Sequence, residues 1–347
     1  MKSKNLSEKI LRSVKSKGFK YIELPSVIEA NHIVQRSGEN FRKFMFSFTD
    51  INGKELCLRP DLTIASCLRY LEGNFKGKEK IFYSGQAYRK VESKKDKIIR
   101  NQVGFEILGS KDEKNDDKEI INTSIKILQD FKFSSGTLTI GNIEIFNLLI
   151  SKLDIPKRWK LRLSRHFWRE KYFNDLLKRL ETNADIDPTI VEIDKKRYLD
   201  LLNKNPETMI AGRSVGEILK RFDTKIKDPR QAKRGNKVSK IIKSFLKISC
   251  PINKAAMELN KFFKKNKINL VVDQRYFPIS SNKLSKLNVK FSTSFGRHLE
   301  YYSGMVFKID VKSKSTTIKC AGGRYDRLIS DLGSKKQVPA VGAAFNL

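Results

Sequence analysis

Gly296 to Phe307 reads G-R-H-L-E-Y-Y-S-G-M-V-F, and after a short hairpin comes A-G-G-R-Y-D, Ala321 to Asp326. An arginine, an acid, two adjacent tyrosines and a glycine form a mixture whose polar groups would each need a partner inside a packed core. A ligand pocket supplies such partners. Neighbouring side chains on an extended segment point to opposite faces, so one of Tyr301 and Tyr302 would line a cavity while the other anchors the strand. Arg297 carries a planar five-donor fork suited to a carboxylate or phosphate. The Ala-Gly-Gly turn before Arg324 lets backbone approach a ligand closely, because glycine has no Cβ. The same residues are also compatible with an ordinary aromatic β-hairpin.

Two other stretches carry groups of this kind. In L-R-P-D-L-T, Leu58 to Thr63, Asp61 and Thr63 suit the first turn of a helix, where a carboxylate or hydroxyl meets free backbone N–H groups. Asp61 is therefore either a cap or a contact for a ligand ammonium. In R-N-Q-V-G-F-E-I-L-G, Arg100 to Gly109, Gln102, Gly104 and Glu106 alternate with Val103, Phe105 and Ile107. One face is apolar, and the other presents a Gln, a gap and a Glu. Such a face is either exposed to water or occupied by a small ligand.

The elements that must position these groups follow from periodicity. Leu6, Ile10, Leu11 and Val14 recur at helical spacing and Gly18 stops the helix. A short strand runs to Pro25. Phe44 to Phe48 and Lys54 to Leu58 flank Asn52-Gly53, a hairpin turn. Strands follow over Lys80 to Val91 and Arg100 to Gly109, then a helix over Asp116 to Phe131, the strand T-L-T-I and a helix over Ile143 to Leu153. From Ile155 the pattern becomes helix after helix, including amphipathic stretches at Arg165 to Leu180 and Ser214 to Phe222. Strand signals resume at I-N-L-V-V-D, Ile268 to Asp273, continue through Val289 to Ser294 and end, after the helix Y-D-R-L-I-S-D-L, with P-A-V-G-A-A-F. The expected organisation is one domain in two parts, residues 1–154 and 268–347, around a helical insertion at 155–267.

With 347 residues, 39% hydrophobic and 31% charged, the chain is globular rather than disordered. It has no run of 18 apolar residues, and M-K-S-K-N-L-S-E lacks a signal-like apolar segment, so a soluble cytoplasmic protein without membrane association is expected. Cys57, Cys67, Cys250 and Cys320 are scattered without C-x-x-C spacing, which argues against a disulfide framework or a metal site. The net charge of +33 raises a nucleic-acid partner for consideration. The excess is mostly lysine spread along the whole chain, however, and the densest stretch, Lys220 to Lys247, reads as a solvated helical face.

Taken together these pieces resemble a family. Y-I-E-L-P, Tyr21 to Pro25, is similar to motif 1 of class II aminoacyl-tRNA synthetases, and Y-R-K-V with R-N-Q-V-G-F-E-I-L-G resembles motif 2. L-R-P-D-L-T, R-H-L-E-Y-Y-S-G-M-V-F, G-G-R-Y-D and P-A-V-G resemble the histidine-specific signatures of histidyl-tRNA synthetase and its paralogue, the regulatory subunit of ATP phosphoribosyltransferase. Val91 stands where the synthetase pattern has Glu, and Ile98 and Ile99 stand about where it has Arg-Glu. The chain stops at Leu347, before the motif 3 helix whose Arg holds ATP and before an anticodon-binding domain. Losing that Arg removes a charge-assisted partner worth ~1.5 to 3 kcal/mol. Ala211 to Phe222 also resembles the regulatory subunit's insertion.

The resemblance implies an α+β fold: a class II synthetase-like antiparallel sheet flanked by helices, with a helical insertion. It implies a non-catalytic, cofactor-free, histidine-binding subunit that dimerises through the motif 1-like region. Its partner would be the catalytic short-form ATP phosphoribosyltransferase, at the first step of histidine biosynthesis, which needs this subunit for activity and feedback inhibition. Within that frame Asp61 and Gln102, with Thr63 beside them, would take the histidine ammonium. Glu106 and one of Tyr301 and Tyr302, with Tyr302 the first choice, would take the imidazole. Arg89 and Arg297 would take the carboxylate; Gly323 and Arg324 are secondary, Arg324 as a cap of the sheet. The alternatives are a truncated or divergent histidyl-tRNA synthetase-like enzyme forming histidyl adenylate, and a stand-alone nucleic-acid-binding module.

Overall fold

The structure is a computed structural model that describes residues 2–37, 39–73, 77–91, 97–131, 135–182, 188–210, 213–226, 232–281, 283–284, 286–296, 301–312 and 317–347. By internal packing the chain forms two units, one of Met1–Glu144, Ser249–Leu259 and Val272–Leu347, the other of Ile145–Ile248 and Asn260–Val271.

The first unit is built on one large sheet. Its strands among the described residues are β1 (Lys20–Tyr21), β2 (Glu79–Tyr88), β3 (Ile99–Leu108), β4 (Ser135–Asn142), β5 (Ser249–Pro251), β6 (Lys283–Leu284), β7 (Leu287–Ser292), β8 (Met305–Lys312), β9 (Thr317–Arg324) and β10 (Ala340–Asn346). They lie in the order β1-β2-β3-β10-β9-β8-β4-β7-β5, with β6 beside β7. Pairing is antiparallel except at β1/β2 and β4/β7. This is the mostly antiparallel α+β arrangement that the motifs imply.

Strand β3 shows why the sheet has two unlike faces. Val103, Phe105 and Ile107 alternate and are fully buried; Phe105 meets Phe19 edge-on at 5.4 Å and stacks on Phe345 at 6.2 Å. Helices α1 (Lys2–Lys15) and α3 (Glu113–Gln129) belong to this apolar side. The residues between, Gly104 and Glu106, face the other way, where α2 (Leu62–Glu72) packs Leu62 and Ala65 against Tyr83. Before α2, the strands Val27–Glu29, Ser47–Thr49 and Glu55–Leu58 form a small antiparallel sheet. Its turn is the expected Asn52-Gly53: Gly53 has φ +79°, and the Asp50 carboxylate accepts from the Asn52 and Lys54 N–H groups at 2.9 and 2.8 Å.

The second unit is helical: α4 (Ile143–Lys152), α5 (Lys157–Arg165), α6 (Glu170–Thr182), α7 (Pro188–Leu202), α8 (Val215–Ile226), α9 (Ala232–Phe245) and the end of α10 (Ala255–Lys265). Its core is aromatic. Phe146 stacks on Phe167 at 3.8 Å and also meets Phe173 and Phe245. That stack explains why Arg165 to Leu180 is not one helix: the chain turns at His166–Trp168 to send Phe167 inward before α6 begins. Ile268 to Asp273 is likewise no strand. It joins no ladder among the described residues, Val271 is 75% exposed, and the Ile268 N–H closes the end of α10 on the Phe263 carbonyl at 2.9 Å. A hydrophobic run without a neighbouring edge has nothing to pair with. No described helix is long and apolar enough to cross a membrane.

Helices α6 and α9 approach closely at Gly235, where an added Cβ would lie 2.0 Å from the Leu180 carbonyl oxygen. Helix propensity alone favours alanine there by about 1 kcal/mol, but a clash with backbone forces the helices apart at on the order of 1 to 3 kcal/mol or more. Gly235→Ala is therefore expected to lower the melting temperature by several degrees. A calorimetric scan showing a rise would refute this contact.

Candidate functional site

Glu106 is the centre of the site. It projects from β3 with 1% of its surface exposed, and its carboxylate accepts from hydroxyls of three other segments. Tyr83 of β2 and Thr63 of α2 donate to Oε1, at 2.5 and 3.3 Å, and Tyr325, which follows β9, donates to Oε2 at 2.7 Å. Burial pushes the Glu106 carboxyl up to about 7, against the pull of the Tyr83 and Tyr325 hydrogen bonds, and the nearby Asp61 charge adds to the rise. A carboxyl poised there accepts an N–H from a ligand when ionised and donates when protonated.

Register decides whether this carboxylate fits at all. Glu106 pairs with Gly342 of β10, and Gly342 with Gly323 of β9. A Cβ at Gly342 would lie 1.2 Å from Glu106 Oε2, and one at Gly323 would lie 2.9 Å from the Tyr302 ring. The two glycines hollow the sheet beside the acid. Gly104 does the same for Tyr83, its directly paired neighbour on β2, since a Cβ there would lie 2.4 Å from the ring. The gap between Gln102 and Glu106 is thus filled by the protein's own tyrosine, and the expected open slot is not present.

Asp61 caps α2: Oδ1 accepts the Ile64 N–H at 3.0 Å. Its other oxygen accepts from the Tyr301 hydroxyl at 3.4 Å and stands 3.8 Å from the Arg89 guanidinium. Arg89 also donates to the Pro60 carbonyl at 2.8 Å and lies over the Phe41 ring. The side chains of Arg89 and Asp61 are 27% and 17% exposed, so this pair forms the wetter side of the cluster. Tyr301 and Tyr302 do not point to opposite faces. They precede β8 in non-strand conformation, their rings meet edge-on at 5.0 Å, and Tyr301 also meets Tyr325 at 5.8 Å. Burial raises both hydroxyls above the ordinary tyrosine value.

The structure therefore brings together Asp61, Thr63, Arg89, Glu106, Tyr301 and Tyr302. Gln102 shares the face of Glu106, but its amide donates to Asn346 at 2.7 Å, and the Tyr83 ring lies between the two. Arg297 lies outside the described residues. Arg324 points to the other face, one residue out of phase with Gly323. It donates to Asp117, Asp326 and the Glu113 carbonyl at 2.7 to 2.9 Å. Tyr83, Tyr325 and Gly342 are the residues that sequence reasoning missed. Tyr325 stood in the G-G-R-Y-D motif and Gly342 in P-A-V-G as signals; Tyr83 had none without the strand register.

Comparison with known proteins places this geometry in context. A profile for the family described as histidyl-tRNA synthetase matches residues 1–347. The ATP phosphoribosyltransferase regulatory subunit of Allorhizobium ampelinum is 28% identical over 352 residues, spanning 96% of this chain and 93% of that one. Two solved structures share the fold. An ATP phosphoribosyltransferase regulatory subunit/histidyl-tRNA synthetase from Bacillus halodurans has 21% identity and a TM-score of 0.57 over 99% of this chain and 76% of that chain. A chain of the ATP phosphoribosyl transferase (HisG:HisZ) complex from Thermotoga maritima has 18% identity and a TM-score of 0.53 over 99% and 96%.

The raised carboxyl of Glu106 has a consequence for stability. A native carboxyl near 7 keeps its proton where the unfolded chain, near the ordinary 4.5, has lost it; stability therefore falls as pH rises through that window, by roughly 3 kcal/mol in all. Glu106→Gln cannot ionise. The difference in unfolding free energy between variant and wild type, from urea titrations at about pH 5 and about pH 7.5, is expected to move in the variant's favour as pH rises. A pH-independent difference would show that Glu106 is not held as described.

Proposed function

Since the chain belongs to the histidyl-tRNA synthetase family over residues 1–347, we propose that it is the regulatory subunit of ATP phosphoribosyltransferase: a non-catalytic chain that binds histidine and acts on a separate catalytic subunit. The observation that carries the histidine reading is the buried Glu106 carboxylate, ringed by Tyr83, Tyr325 and Thr63 with Tyr301 and Tyr302 beside it. A buried acid accepts an imidazole N–H without leaving either polar group unpaired, and the tyrosine rings pack on the imidazole plane. Asp61, with Thr63, takes the ammonium, joined by Gln102 once it leaves Asn346. Arg89 and Arg297 take the carboxylate as paired donors. Selectivity follows because an imidazole N–H adds a charge-assisted hydrogen bond to Glu106 that an amino acid without a side-chain donor does not supply.

The regulatory reading is supported by relatives of that name matching over nine-tenths of the chain. It is also supported by the apolar residues at the edge of the motif 2-like strands. Ile98 and Ile99 are 48% and 46% exposed, where a nucleotide triphosphate would need cationic partners. The partner is the catalytic ATP phosphoribosyltransferase subunit, with self-association through the region around Tyr21 to Pro25 and with histidine as effector in feedback inhibition of histidine biosynthesis. Neither a membrane nor a nucleic acid is required.

Calorimetric titration of histidine into wild type, Glu106→Ala and Arg89→Ala tests the pocket: each substitution is expected to weaken binding by on the order of 2 to 5 kcal/mol. Equal binding by all three would refute the assignment. In the presence of the catalytic subunit, histidine and that subunit should change each other's affinity by the same factor. Histidine-dependent pyrophosphate exchange by this chain alone would instead reveal an adenylating enzyme.

A further inference from the structure

The helical unit carries a basic cavity that the histidine-binding reading does not use. It has a volume of about 840 Å³ and is lined by Lys233, Lys237 and Lys240 of α9, Lys265 and Lys267 at the end of α10, and Glu181 of α6. The three α9 lysines are spaced i, i+4 and i+7, which sets them on one face over about 10 Å of helix. Glu181, the acid among these lining residues, is already engaged: it accepts from Lys243 at 2.5 Å and from Ser239 at 2.8 Å. Among the described residues none of the five lysines has an ion-pair partner within 4.0 Å. A second cavity of about 410 Å³ shares Lys233, Lys237 and Lys267 and adds Lys152. There the one acid, Asp154, is paired with Arg234.

Lys267 sharpens the point. Its φ of +55° is the positive value among described residues other than glycine, at a helix exit where glycine or asparagine fits without strain. Lysine there keeps a fifth ammonium at the cavity. Crowded like charges repel one another, and a bound anion relieves that repulsion.

We infer that this cavity binds an anion made of several linked phosphate groups, recognised by charge along its length. The described lining includes no aromatic ring to stack a nucleobase, and the larger cavity has no arginine to fork onto a single phosphate. Flexible lysines on two segments suit a chain of phosphates instead. A free polyphosphate and the phosphates of a nucleotide share this chemistry; inorganic tripolyphosphate, which has no base, isolates it.

Calorimetry of the full chain with inorganic tripolyphosphate at low ionic strength is expected to show binding that weakens as salt rises. The variant Lys233→Gln/Lys237→Gln/Lys240→Gln should lose roughly tenfold or more in affinity. A matched control, Lys195→Gln/Lys196→Gln/Lys204→Gln, removes the same charge from exposed positions elsewhere in the unit and should stay within about twofold of wild type. Equal loss in both variants would mean that net charge alone attracts the anion, and would overturn the site. Failure of wild type to bind at low salt would do the same, as would much tighter binding of a nucleoside triphosphate than of tripolyphosphate, because the base would then be read.

Discussion

Everything distinctive about the sheet follows from putting one carboxylate inside it. A buried acid is tolerated when its lone pairs are satisfied, and Glu106 meets that condition with hydroxyls from β2, from the first turn of α2 and from the segment after β9. Those donors come from positions 63, 83 and 325, far apart in the chain, so the acid fastens three elements to one point. The space it needs is made by glycines on the next two strands of the sheet, Gly342 beside Glu106 and Gly323 beside Gly342. Any side chain at Gly342 would occupy the place of the carboxylate.

The opposite face is organised by a second buried charge with a different consequence. Arg324 is 4% exposed and held between Asp117 and Asp326. Burial drives the Asp117 carboxyl up to about 6, while the Arg324 guanidinium draws it down. Asp326 also accepts the Ala340 N–H at 3.0 Å, which ties the start of β10 to the end of β9. Removing one member of such a network leaves an uncompensated charge in a dry place. Its effect is structural: it fixes the two strands whose glycines flank Glu106. Adjacent residues of G-G-R-Y-D thus serve both faces, Gly323 and Tyr325 the acid, Arg324 the anchor.

The helical unit obeys different physics. Its centre is a cluster of phenylalanines, Phe146, Phe167, Phe173 and Phe245, none of the unit's described charged side chains is buried, and its helices close to backbone contact at Gly235. Among the described residues its charge lies at the surface, where lysines gather along one face of α9. A core of this kind holds its shape without help from ionised groups, which leaves the surface free to carry unpaired lysines at little structural cost.

Periodicity and turn chemistry by themselves determined much of the architecture. The alternation in β3, the Asn52-Gly53 hairpin, the Asp61 cap and the change to a helical pattern after Ile155 are all local signals, and local signals report which way a side chain faces. The combination of short motifs likewise determined the family, because each motif is a contiguous run. Only the tertiary structure decided what lies opposite what. Tyr83 beside Gly104, the glycine row next to Glu106, the edge contact of Tyr301 with Tyr325 and the course of Ile268 to Asp273 outside any described ladder depend on how distant segments are brought together. Facing is a property of one strand, whereas room for a buried acid is a property of three, and no single stretch of sequence contains it.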